Sequence, residues 1–353
     1  MMRDDDQRSN GHASMPQAAA VCEPIDARAW AKLLADYREP NAARAIVEIA
    51  VTIVPFIALW GLMGVAVGSG YWIALLLVLP AAGFLVRLFM IQHDCGHGAF
   101  FRHRSFNDWT GRLLGVLTLT PYDSWRHTHA LHHAGSGNLD QRGVGDVHTL
   151  TLDEYRKLSE WGQYRYRLYR HPLVMFGVGP AYLFILQHRL PIGLMRSGLT
   201  PWASAMGTNL AIALAIAGLV WLLGFKVFLA IHLPVVVIAA TAGVWLFFVQ
   251  HQFEETRWEG QDDWKWHDAA LHGSSHYDLP AILRWFTANI GVHHVHHLSS
   301  RIPFYRLQQV LRDHPELGTI GRLSLGESLR CVRLVLWDTS SRRLISFREA
   351  AHA

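Results

Sequence analysis

Residues 71–101 read YWIALLLVLPAAGFLVRLFMIQHDCGHGAFF, an apolar run that ends two positions before a pair of histidines. The run 71–91 carries one charge, Arg87, and at about 1.5 Å per residue it can cross roughly 30 Å of hydrocarbon as a helix. If the helix continues past the membrane, His93 and His97 fall at i and i+4. Both imidazoles then share one face at the surface.

Three further runs have the same length and purity, at 49–67, 203–224 and 227–249. Core helices of soluble proteins seldom stay apolar all the way round, so these stretches read as membrane spans. The composition agrees, with 51% hydrophobic and 17% charged residues in a chain of 353. The spans form two tight pairs, joined by Gly68-Ser69-Gly70 and by Phe225-Lys226. Such short connectors put the remaining chain on one side. Of 32 Lys and Arg, all but Arg87 and Lys226 lie in the tails and central loop, so that side is expected to be the cytoplasm. Arg87 is expected either to snorkel towards a helix end or to face protein. No cleavable signal pattern precedes the first span.

The expected fold is therefore an all-α integral membrane protein with four transmembrane helices in two hairpins and a cytoplasmic helical cap. Residues 1–40 read as a polar tail with a short surface helix near 25–37, residues 41–330 as the membrane domain, and 331–353 as a C-terminal cytoplasmic tail. A fifth apolar run, 172–186, would cover only about 22 Å of helix and suits an interfacial or re-entrant segment. If it crossed, the histidines before and after it would lie on opposite faces of the membrane. Cys22, Cys95 and Cys331 show no paired spacing and are expected as reduced thiols. The net charge of +4 suits loops facing anionic lipid headgroups, and no nucleic-acid motif is present.

The 22 histidines are clustered. In WRHTHALHHAGSGNLD, His129, His132 and His133 share one helical face, and His127 lies about 200° from His129 on the wheel. In GVHHVHHLSSR, His293, His296 and His297 repeat that spacing. His294 is not excluded by geometry, because 293, 294 and 297 also share an arc of about 100°. A single histidine is usually a satisfied surface or core residue. Three clusters with repeated spacing on one side of a membrane point instead to metal. Eight imidazoles exceed what one tetrahedral zinc takes and suit two metals with open positions, of iron, zinc or copper. Haem would leave the clustering unexplained. H-E-x-x-H, Walker and G-x-G-x-x-G motifs are absent, and Glu349 with His352 is the single Glu-x-x-His pair. The metals must be held by nitrogen.

With boxes H-x3-H, H-x2-H-H and H-x2-H-H in that order, the chain resembles the membrane fatty acid desaturases from about residue 91 to 307. HDCGHGAFF, TPYDSWRHTHALHHAGSGNLD, GDVHTLT and NIGVHHVHHLSSRIPFYRL look like the acyl-lipid Δ12/ω-6 and ω-3 members. The Δ9 acyl-CoA group spaces its first box H-x4-H. Front-end desaturases carry Gln at the position of His293 and a cytochrome b5 domain with HPGG, which this chain lacks.

The resemblance implies that two iron ions are held by His93, His97, His129, His132, His133, His293, His296 and His297, with His251 of FVQHQFEE as a further ligand. It implies O2 as co-substrate, a lipid-bound acyl chain reaching the metals through a bent apolar channel, and electrons from a separate protein such as ferredoxin or cytochrome b5. The setting would be a bacterial inner membrane with the active site and both termini cytoplasmic. Asp94, Asn138, Asp140, Asp146 and Asn289 are near enough in sequence to orient ligands, although Asp94 lies off the metal-facing side of its helix. His272 and His276 of HGSSH are expected in a loop, and His232 as a packing residue or a polar contact at the far face. Rival readings are another membrane di-iron oxidase (hydroxylase, acetylenase, epoxygenase or carotenoid ketolase) and a non-enzymatic His-rich metal-binding protein. The second would place ligands within the spans.

Overall fold

The computed structural model describes residues 26–143 and 145–352. Cys22, Ile25 and the tail before them lie outside the described residues. Among the described residues four helices are long and apolar enough to cross a membrane: Ala42–Gly68, Trp72–Gly96, Leu199–Leu223 and Phe225–His251. The second span begins as a 3-10 turn, Trp72–Leu77, before the α-helix Val78–Gly96. Both the second and fourth spans outrun their apolar stretches, and the extra turns carry His93 and His251.

The hairpins close at glycines in the left-handed region, Gly70 with φ 89° and Gly224 with φ 79°. Side chains rarely adopt this backbone. Gly224 alone links the third and fourth spans, so Phe225 and Lys226 begin the fourth helix instead of forming the expected connector. The third span leaves Leu210, Leu214, Trp221 and Leu222 exposed, as a lipid-facing helix does. The second span packs between the first and the fourth and also holds helix Arg104–Leu117.

Arg87 faces protein and does not snorkel. It pairs with Glu48 of the first span, and both side chains are 3% exposed. Its guanidinium carbon lies 4.1 Å from the Trp285 ring centre and 5.1 Å from that of Phe304. It also donates to Thr52 and to the Trp285 carbonyl. A charge this deep persists only when paired and hydrogen-bonded.

Segment 172–186 is built of two π-helical turns, Val174–Val178 and Tyr182–Leu186. Met175 is buried and Phe176 packs on Trp245 and Phe248, while Leu173, Val178, Tyr182 and Leu186 stay exposed. The histidines before and after it meet in one cluster, so it does not cross.

The cap is mainly helical with five short strands. Leu150–Thr151 pairs in parallel with Leu336–Asp338, which pairs antiparallel with Arg343–Ile345. His276–Asp278 pairs in parallel with Arg322–Ser324. Residues after 331, expected as a tail, are therefore part of the cap. Leu336, Trp337, Leu344 and Ile345 are buried, and Trp337 stacks on Trp258 at 5.1 Å. Helix Ala27–Leu33 is docked as well, with Trp30 and Leu34 buried and Trp30 edge-on to His314. Buried Arg170 ties the cap together through Thr149, Gln252 and the Leu334 carbonyl. Cys95 and Cys331 are buried free thiols.

Glu48→Ala would strand the Arg87 charge among apolar side chains. A loss of about 3–5 kcal/mol is expected, read as a lower thermal unfolding temperature in detergent. The double substitution Glu48→Leu with Arg87→Met should recover most of it.

Candidate metal centre

Histidines from four segments converge where the second and fourth spans end. One group comprises His93, His97, His129, His133 and His296, and the other His132, His251, His293 and His297. Within each group the ring nitrogens all lie within 4.8 Å of one another. In the first, His97 Nε2 is 3.0 Å from His129 Nε2, which is 3.2 Å from His133 Nε2, itself 3.3 Å from His296 Nε2. In the second, His251 Nε2 is 3.2 Å from His132 Nε2 and 3.0 Å from His293 Nε2, which is 3.1 Å from His297 Nε2.

Hydrogen bonding does not account for this packing. An imidazole nitrogen has one proton or one lone pair, yet Nε2 of His129, His133, His251 and His293 each faces two others. Nitrogens bonded at about 2.0–2.1 Å to one metal, at angles from octahedral (cis) to tetrahedral, lie roughly 2.8–3.4 Å apart. The observed spacings fit that arrangement at two points. Rings of the two groups also touch: His133 stacks on His297 with centroids 4.0 Å apart.

Burial holds the imidazoles of His97, His129, His133, His293, His296 and His297 well below the ordinary histidine pKa, and repulsion from neighbouring histidines adds to this. Neutral imidazole is the ligand form.

Several rings are also held by their other nitrogen. His93 Nδ1 lies 3.3 Å from Asp94, His132 Nδ1 contacts Asp146, and His251 Nδ1 lies 3.4 Å from the Gly273 carbonyl. Such contacts fix ring orientation and tautomer. Asp94 reaches His93 from outside the metal-facing side, and its second oxygen accepts from the Phe304 amide at 2.7 Å. Asn138 accepts from the Asp140 amide in a local turn and donates to Gln261 Oε1, and Asp140 accepts from the distant Gln261 amide. Asn289, at φ 57°, donates to the Phe304 carbonyl.

Local sequence explains each placement. Gly98, with φ 65°, terminates the second span just after His97. A Cβ on Gly96 would meet the Trp125 ring at 2.9 Å, so glycine lets helix Tyr122–Gly135 approach closely. Trp125 stacks on His129 at 4.6 Å. Its i, i+4 spacing to His129 is the sequence signal for this contact. Helix His293–Leu298 is held at its start by the Ser275 carbonyl, which accepts from the amides of His293 and His294.

His294 joins neither group. It is buried with Nε2 2.8 Å from the Leu317 carbonyl, and burial lowers its pKa to about 3. His127 is exposed. HGSSH is not a plain loop: His272 ends helix Trp266–His272, and His276 opens a strand with Nδ1 2.7 Å from the Gly318 carbonyl. That strand depends on a distant partner, which local spacing cannot show. His232 packs between Phe228 and Trp60.

Residues 69–323, which include all nine clustered histidines, match the profile of the family described as Fatty acid desaturase. The chain is 40% identical over 322 residues to a fatty acid desaturase of Bacillus subtilis, covering 91% of each chain. The chain belongs to the fatty acid desaturase family. It is also 30% identical over 257 residues to an sn-1 acyl-lipid omega-3 desaturase (ferredoxin) of Synechocystis sp., covering 67% of this chain and 66% of the relative. An sn-1 oleoyl-lipid 12-desaturase of Anabaena variabilis is 28% identical over 277 residues, covering 69% of this chain and 71% of that one. The chain is thus an oxidoreductase of the fatty acid desaturase type, with helices long and apolar enough to cross a membrane.

His296→Ala should strip metal from its group, whereas His294→Ala should keep full metal content and lose about 1–3 kcal/mol of stability from its buried hydrogen bond. Elemental analysis and thermal unfolding of the purified desaturase separate the two outcomes.

Proposed function

We propose that this desaturase uses two iron ions and O2 to place a cis double bond in the acyl chain of a membrane glycerolipid, at the Δ12 (ω-6) or ω-3 position. The convergence of nine imidazole nitrogens on two points carries the reading. His93, His97, His129, His133 and His296 would hold one ion, and His132, His251, His293 and His297 the other. Iron bound there would supply the reduction of O2 and the hydrogen abstraction that an unactivated C–H bond requires.

The overall reaction balances if O2 takes two hydrogens with two electrons from the acyl chain, and two electrons from a donor with two protons, and leaves as two waters. The chain shows no flavin, nicotinamide or haem motif, so the donor is a separate protein, ferredoxin or cytochrome b5. The names of the cyanobacterial relatives support an acyl-lipid substrate, and one names ferredoxin.

The protein's own groups place the substrate and exclude water. An apolar cavity of about 30 Å³ lies between the second and fourth spans, lined by Leu85, Phe89, Phe184, Ala239 and Gly243. Leu85 and Phe89 precede His93 by two turns and one, so methylenes seated there lie on the bilayer side of the ligands. Asp94 and Asp146 keep His93 and His132 aimed inward. The Arg and Lys distribution supports a centre and both termini on the cytoplasmic face, and the bacterial relatives support an inner membrane as the setting.

Fatty acid methyl esters from a host expressing the chain should show a new cis double bond by mass spectrometry, lost in His296→Ala while the protein stays in the membrane. New hydroxyl or keto products without new double bonds would refute desaturation, and a double bond elsewhere would refute the position alone. Reporter tags placed after His133 and after His297 should both report the cytoplasm; a periplasmic signal from either overturns the topology.

A further inference from the structure

Beside His97 the structure opens a second cavity, of about 630 Å³ and rich in charged side chains. Its walls are the end of the second span, helix Arg104–Leu117, helix Tyr122–Gly135, and the start of the third span at Thr200 and Pro201. His97, a proposed ligand, borders it, and the chemistry proposed above uses none of its other walls. We infer that this cavity binds the phosphate of a glycerophospholipid whose acyl chain is the substrate, an inference that rests on the desaturase reading.

Charge is the first observation. Four arginines line the cavity, Arg102, Arg104, Arg126 and Arg301, against two carboxylates, Asp108 and Asp123. Asp108 pairs with Arg126 at 2.6 Å and with Arg104 at 3.5 Å, and Asp123 pairs with Arg112 at 2.9 Å. Arg102 and Arg301 are exposed and take no part in these pairs. The acids are committed, and the surplus is positive. Guanidinium forks match phosphate oxygens in geometry as well as charge.

Position is the second. Arg104, Asn107 and Asp108 line the cavity, while Phe106, Trp109 and Leu113 of the same helix point away from it and are 60%, 63% and 68% exposed. Leu199, where the third span begins beside the cavity, is 86% exposed. Aromatic and aliphatic side chains so exposed at a span's end belong in the interfacial layer of a bilayer, where lipid phosphates lie. A soluble electron donor would meet a rim facing water.

The third observation is alignment along the second span. Cys95 to Gly98 border the arginine-lined cavity, Leu85 and Phe89 border the apolar one, and His93 lies between. A lipid with its phosphate among the arginines can lead its acyl chain past the histidines into the apolar cavity.

The test compares retention of phosphatidylglycerol and of monogalactosyldiacylglycerol with the same acyl chains, by native mass spectrometry of the full-length protein from detergent. Arg102→Glu with Arg301→Glu should weaken phosphatidylglycerol binding roughly ten- to thirtyfold and leave the galactolipid unchanged. Arg330→Glu with Arg333→Glu, an equal charge change away from the cavity, should leave both unchanged. Inorganic phosphate should compete only at concentrations well above that of the lipid.

Equal loss in the two double variants, or loss of both lipids, would reduce the effect to general surface charge and overturn the inference. Displacement by phosphate at the lipid's own concentration would make the cavity a free-anion site. Unchanged phosphatidylglycerol retention with weakened ferredoxin binding would reassign it to the donor. Because retention is read without turnover, a chain that holds phosphatidylglycerol yet forms no double bond would refute the function and leave this site standing.

Discussion

Imidazole nitrogens crowded to 3.0–3.3 Å, with several facing two neighbours at once, are the constraint on which the rest of the structure depends. Lone pairs at that distance repel unless a cation or a shared proton stands between them. Packing alone would disperse such rings, so the surrounding chain must hold them in place. It does so by carrying the second and fourth spans beyond their apolar stretches, and by using Gly96 where a helix carrying Trp125 presses in. Asp94, Asp146 and the Gly273 carbonyl hold the far side of individual rings.

The same constraint reaches into the membrane. Arg87 lies within the second span, less than two turns before His93, and binds Glu48 of the first span and the Trp285 carbonyl of the cap. Asp94, next to His93, takes the amide of Phe304, whose ring lies beside the Arg87 guanidinium and whose carbonyl accepts from Asn289 just before the third box. First span, second span and third box are thus tied by buried polar contacts. Apolar helices in lipid have little hydrophobic reason to keep one rotational setting, and polar contacts of this kind supply one.

Much of this was legible beforehand, for identifiable reasons. Bilayer thickness demands long apolar runs, and those runs stand out in composition. Helical period puts H-x3-H and H-x2-H-H on one face, so candidate ligands could be named from spacing, while His251 needed the family resemblance. Legibility failed where a residue's role depends on a distant partner. The spacing shared with the second box favours His296 over His294, but the partner that takes His294, the Leu317 carbonyl, is invisible to it. Leu336, Trp337 and Ile345 read as a tail because three-residue strands leave almost no periodic signal, and their burial depends on Leu150, Trp258 and Tyr166 elsewhere in the chain. Asp94 looked misplaced because a helical wheel shows a side chain's direction from its own axis and not which neighbour comes to meet it.

The sequence by itself determined four spans, three histidine boxes and one shared side, because hydropathy and helical period are local properties that a bilayer and an α-helix read directly. Tertiary structure alone decided how nine histidines divide into groups of five and four, which aspartates steady them, and that Arg87 turns inward to Glu48. Those outcomes depend on distances between segments up to some two hundred residues apart. Such distances are set by the packing of whole helices, and no window of sequence contains them.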